Sequence, residues 1–190
     1  CMKLNISTNT FLNFSGNDAF SFVDSLISNS IAESEYKFSY LLGPDGKVMF
    51  WFICSFSNQE FKMFQSEEVL EKMMEVFNKY KIRIDCNIEI FKEVNNFKIE
   101  VDGDKLNISQ SNKLENNNSW EEVGLTLALP LNKIIDIGVL PNEINWLESF
   151  VNYDKGCFIG QEQTSRIKFR GKPRRILKTL PNSVQELVKI

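Results

Sequence analysis

The chain contains no histidine. That removes the commonest general base and the commonest transition-metal ligand at once. Ser-His-Asp and Cys-His hydrolases are thereby excluded, and acid-base work falls to carboxylates, lysines, tyrosines or a thiol. No apolar run approaches the ~20 residues needed to cross a bilayer. No basic-then-apolar leader with a small-residue cleavage site opens the sequence either, so the expectation is a cytoplasmic protein without membrane contact. The four cysteines, Cys1, Cys54, Cys86 and Cys157, form no C-x-x-C pair. Their spacing suggests no disulfide framework, zinc knuckle or other metal site. Excess charge is also scarce: the net charge of −3 argues against general nucleic-acid affinity.

What is present is apolar bulk. Hydrophobic residues make up 43% of the 190 positions and phenylalanine alone supplies 16, enough for one large domain or two small interlocked ones. Asn17 offers an N-cap for a helix burying Ala19, Phe22, Val23, Leu26 and Ile27. Tyr36 to Leu42 and Val48 to Phe56 flank the reversal Gly43-Pro44-Asp45-Gly46. Asn58 marks another turn. Ser66 caps a helix carrying Leu70, Met73 and Phe77 on its apolar face, with Glu67 and Glu68 in its positive first turn.

Further on, Ile82 to Phe91 alternates as a half-buried strand with Cys86 in its apolar phase, and a hairpin turns around Asp102-Gly103-Asp104. The Asn/Ser-rich stretch Ser111 to Ser119 marks the expected internal boundary, with one subdomain over 1–110 and a second, interleaved with it, over 111–190. Trp120 to Leu129 has the length of a short helix. Asn182 or Ser183 offers a cap for a last helix through Leu187 and Val188.

The densest chemistry lies in Lys155-Gly156-Cys157-Phe158-Ile159-Gly160-Gln161-Glu162, followed by a basic run from Arg166 to Arg175. A thiol between two glycines, with an ammonium two residues before it and a carboxylate five after, brings nucleophile, pliant backbone and titratable partner into one loop. A cation beside a cysteine favours the reactive thiolate. Two readings stay open for Cys157: a small buried hydrophobe in a tight turn, or a functional thiol. In the basic run Arg166, Lys168 and Arg170 alternate with Ile167 and Phe169, which on a strand puts three cations on one face. Such a face is either a solvated protective edge or an anion site.

The octapeptide resembles the K-G-C-Y/F-x-G-Q-E signature of the YgfZ-type folate-binding proteins, relatives of the glycine cleavage system T protein. Phe14 to Ala19 with Phe22 is similar to that family's opening G-x-D-A-x-x-F, and Leu41 to Lys47 to its L-x-x-P-x-G-R/K hairpin. Leu140 to Asn145 resembles its P-x-E-x-N segment, and Arg170-Gly171 its trailing R-G. The resemblance implies an α+β fold like the aminomethyltransferase folate-binding domain, built of interlocked ferredoxin-like α/β sandwich subdomains. The C-terminal β-barrel of larger relatives is expected to be missing or vestigial.

It further implies tetrahydrofolate or a derivative as cofactor, and a role supporting iron-sulfur cluster assembly or repair and possible tRNA modification. Cys157, Lys155 and Glu162 become the reactive group of residues, with Lys155 keeping the thiol anionic. Glu143, Asn145, Trp146, Gly156, Gly160, Gln161 and Arg166 become candidates for holding folate. The expected partners are folate, iron-sulfur clients or assembly proteins, and tRNA through Arg166, Lys168 and Arg170. Where T proteins carry a catalytic aspartate in a G-G-x-x-D-D block, this chain runs Gly46-Lys47-Val48-Met49-Phe50-Trp51. The acid is absent, which weighs against aminomethyl transfer. A tetrahydrofolate-dependent one-carbon transferase using Glu162 or Asp154 and an RNA-binding module remain the alternatives.

Overall fold

A computed structural model describes residues 2–112 and 115–190, and the side chains of all of these except 167–170. The architecture is mixed α+β. Strands β1 (Lys3–Ser15), β2 (Tyr36–Leu42), β3 (Val48–Ser57), β4 (Glu60–Phe64), β5 (Asn87–Asp102) and β6 (Lys105–Ser111) form one antiparallel sheet in the order β2-β3-β4-β1-β5-β6. The sheet curls until its two edges approach each other. The Tyr36 hydroxyl on β2 donates to Gln110 Oε1 on β6 at 2.9 Å, and the Tyr36 ring packs 5.3 Å from Phe97.

Helices α1 (Ala19–Asp24) and α2 (Glu67–Tyr80) cover one face. There Leu12, Phe14, Phe22, Phe61, Leu70, Met73, Phe77 and Cys86 form a core. The α2 cap is the expected one: Ser66 accepts a hydrogen bond from Val69 N–H at 3.4 Å. For α1 the residue at the cap is Asp18, whose side chain makes no capping bond; it accepts from Asp85 N–H instead. Cys86 is buried but precedes β5, so the strand begins later than the alternation predicts.

The other face holds the later part of the chain: α3 (Trp120–Leu127), α4 (Asn132–Ile137), a 3-10 turn at Pro141–Glu143, α5 (Leu147–Phe150), α6 (Gln161–Arg170), and the hairpin β7 (Arg175–Thr179) and β8 (Gln185–Lys189). Residues from both sides of position 110 share its core. Leu4, Phe38, Tyr40 and Trp51 pack with Val123, Phe150, Phe158 and Leu177.

Two expectations are corrected. Residues 166–170 are helical, inside α6, so the strand alternation of cations does not exist. Five residues are too few to separate a period of two from one of 3.6, and the segment is rich in helix formers, with Arg166 bonding Glu162 one turn earlier at 2.8 Å. The Lys168 and Arg170 side chains lie outside the described residues. The last helix is a hairpin instead. Asn182 and Ser183 form its turn, with Ser183 at φ 61° and Asn182 Oδ1 accepting from Val184 N–H at 3.3 Å. Residues that cap helices also make turns, and Ile176, Leu177, Leu187 and Val188 then pair across the strands.

No helix among the described residues is long and apolar enough to cross a membrane. The ring of Phe150 is fully buried and stacked 4.4 Å from Tyr40 and 4.8 Å from Phe38. Phe150→Ala is expected to cost about 3–5 kcal/mol of stability in urea titration, the range for deleting a fully packed ring.

Candidate functional site

Two features compete for attention: the loop carrying the octapeptide, and a groove that sequence reasoning missed. The loop is fixed by Lys155. Its side chain is only 3% exposed, and its ammonium donates to Ile27 O at 3.0 Å and Asn29 O at 2.9 Å while pairing with Asp24 at 3.2 Å. Those three bonds use all the ammonium protons, leaving none for Cys157. Burial pushes the Lys155 pKa down and Asp24 opposes that. Lys155 therefore ties the start of the loop to Asp24, Ile27 and Asn29.

Cys157 is exposed, whereas Cys54 and Cys86 are buried. Burial raises the Cys54 thiol far above its usual range, so it stays protonated. Gly156 has open space where a Cβ would lie, but Gly160 is tightly enclosed: at φ 81° a Cβ there would fall 2.6 Å from Gly43 O. Gly160 thus lets the start of α6 rest directly on the β2–β3 turn. Thr164, buried, returns a hydroxyl bond to Gly160 O at 3.0 Å. Glu162 is exposed and paired with Arg166. Gln161 is half-buried, and its N–H donates to Phe158 O at 3.2 Å.

Three further folate candidates, Glu143, Asn145 and Trp146, precede the loop in the chain. Glu143 is buried. Its carboxylate pairs with the Arg175 guanidinium, which reaches Oε1 at 3.3 Å and bonds Oε2 through Nε. Oε1 also accepts from Leu140 N–H at 2.8 Å. Trp146 Nε1 donates to Leu127 O at 2.6 Å, holding the end of α3. Asn145 is exposed.

The groove arises because β4 is short. It pairs with β3 only over Ile53–Ser57 and with β1 only over Leu12–Phe14, so Val48–Phe52 lacks a strand neighbour on that side. The open space, about 1200 Å³, is floored by Met49, Phe50 and Trp51 and walled by α2, α3 and α4. Gln65 bridges its end, donating to Trp51 O at 3.0 Å. Trp51 Nε1 is satisfied by Pro130 O at 2.8 Å. Trp120 lies 5.9 Å from Trp51, and its own indole N–H is buried without a hydrogen-bond partner among the described residues. Exposed pairs Lys47–Asp45 and Lys72–Glu68, at 4.0 and 3.6 Å, stand at the rim, with Lys133 and Asp136 on α4. Such pairs are weak enough to exchange partners with a ligand. The visible signal was the Ser119 capping box, which starts α3 at Trp120; nothing local showed that α3 faces β3.

No family model matches the chain, and no curated protein matches it. Among solved structures, the crystal structure of glycine cleavage system aminomethyltransferase T from Bartonella henselae matches at TM-score 0.45 and 12% identity. The match covers 70% of this chain and 34% of that one.

Lys155→Met should lower stability by roughly 2–4 kcal/mol in urea titration, because it strands two buried carbonyls and half of an ion pair. Lys155→Arg should not restore it, since the guanidinium cannot fit the same point-charge geometry. A second expectation concerns alkali. Burial raises Tyr153 to about 12 and Tyr40 well above 10, so the folded chain keeps protons that the unfolded chain sheds above pH 10. Stability from these groups is complete below pH 10 and lost as pH climbs through about 12. Tyr153→Phe should flatten that loss when urea midpoints are compared across the same range.

Proposed function

We propose that this protein binds a folate, tetrahydrofolate or a derivative, in the groove beside β3, and serves as an accessory factor for iron-sulfur proteins with Cys157 as its accessible thiol. The groove carries the reading. A pterin needs flat apolar walls and hydrogen-bonding groups at its edge, and the groove offers Phe50, Trp51 and Trp120 together with Asp45, Glu121 and Asp136. Trp120 lines the groove, and its buried indole N–H has no hydrogen-bond partner among the described residues. Lys47, Lys72 and Lys133 supply positive charge for the carboxylates of the folate tail. The residues present therefore fit the group. When bound, a reduced folate would supply one-carbon chemistry; the chain's part is to bind and orient it.

The octapeptide supports the second half of the reading. An exposed thiol on a loop clamped by Lys155 can meet a partner protein. Among the described residues no cluster of His, Cys, Asp or Glu could hold a metal ion, and iron-sulfur clusters usually take about four cysteine ligands. Cys157 then acts by contact with a client rather than as one of a resident set.

Calorimetric titration of the reduced protein with tetrahydrofolate tests the groove. Saturable binding is expected in the wild type and in Cys157→Ala, with a loss of about tenfold or more in Trp120→Ala, equal to ~1.4 kcal/mol. No saturable binding would end the folate reading. For the client role, cells carrying only Cys157→Ser should show reduced iron-sulfur enzyme activity; normal activity would sink it.

A further inference from the structure

The groove and the start of α6, three residues after the exposed thiol, meet at one short turn. Gly43–Gly46 joins β2 to β3, and the residues in and just after it, Asp45 and Lys47 to Met49, form part of the groove's lip and floor. The same turn also receives the start of α6. A Cβ on Gly160 would fall 2.6 Å from Gly43 O and 3.1 Å from Gly46 Cα, and one on Gly46 would fall 2.7 Å from Gln163 Cβ. Backbone meets backbone here. Interiors packed this closely pass on a displacement instead of absorbing it.

The turn is held at its β3 end as well. Val48 N–H donates to Val139 O at 2.9 Å. The Lys47 chain lies against Gly138, its Cδ 3.1 Å from where a Cβ would stand, and Gly138 O accepts from Arg175 at 2.9 Å.

Cys157 is strung between two anchored points of the chain. Before it, Lys155 is tied to Ile27, Asn29 and Asp24. After it, Phe158 O accepts from Gln161 N–H in the first turn of α6, the same turn that rests on Gly43 and Gly46. Between them no described atom beyond its chain neighbours lies within 4 Å of where a Cβ on Gly156 would stand, and Cys157 itself is exposed.

We infer that the β2–β3 turn is a lever joining the two sites, so that a ligand filling the groove changes the reactivity of Cys157. This regulation rests on the groove being the ligand site proposed above. It makes the thiol a reporter of whether the groove is loaded, which suits a factor that must act on a client only with its folate aboard.

Alkylation by iodoacetamide reads the effect. The sulfur of Cys157 bonds the reagent's methylene carbon, iodide leaves, and the thiol proton passes to solvent; the modified peptide is followed by mass spectrometry. With saturating 5-formyltetrahydrofolate the rate at Cys157 is expected to change about fivefold or more, the usual lower end of a coupling between sites. A smaller change, with calorimetry showing the ligand bound, overturns the lever.

A second arm needs no ligand. Gly46→Ala drives a methyl toward Gln163, and Gln163→Gly removes the atom that methyl would meet. At least one of these variants, shown folded by its thermal melt, should change the rate in the free protein by a similar factor. If folded variants of both kinds leave it unchanged, the lever is wrong whether or not folate binds. If folate fails to bind while the variants do shift the rate, the folate reading falls and the lever stands.

Discussion

The structure depends on one buried ammonium. Taking the Lys155 charge out of water costs several kcal/mol, and the cost is offset only because Ile27 O, Asn29 O and Asp24 converge on it. These are not isolated bonds. Ser28 Oγ donates to Phe150 O at 2.7 Å, Asn29 Nδ2 to Ser149 O at 3.0 Å, and Asn152 N–H to Ser28 O at 2.9 Å. Together they form a polar seam that lays residues 149–155 along the connection between α1 and β2. The stacking of Phe150 on Tyr40 and Phe38 then closes the core over that seam. Cys157, two positions after this buried lysine, is exposed.

Absence of side chains matters as much as their presence. The start of α6 can rest on the β2–β3 turn only because Gly46 and Gly160 put no Cβ between the two backbones. The groove likewise exists because β4 ends early, leaving the first half of β3 paired only to β2, beside α3 and α4. A continuous sheet would have no such opening. The groove is thus a product of where elements stop, and the turn between β2 and β3 contributes to its lip while receiving the start of α6.

Much of the chain was legible from neighbours in sequence. Ser66 followed by Glu67 and Glu68 announced α2, Gly43 to Gly46 the β2–β3 reversal, and Asp102 to Asp104 the β5–β6 hairpin, since each depends on bonds a few residues apart. The same local signals failed where two structures use the same residues. Charges at alternate positions from Arg166 did not reveal that the segment is the end of a helix. Asn182 and Ser183 serve a turn as readily as a cap.

The sequence by itself determined the absence of histidine chemistry, the α+β alternation, the apolar faces of α1 and α2, and a thiol framed by glycines. Tertiary structure alone decided where Lys155 points, because two of its partners lie 126 and 128 positions away. It also decided that Glu143 is spent on Arg175, and that Trp51, Trp120, Lys47 and Asp136 share one groove. The physical reason is range. Caps, turns and periodicity act through the backbone within a turn or two of chain, whereas a buried charge and a gap in a sheet are settled only when distant segments compete for the same space.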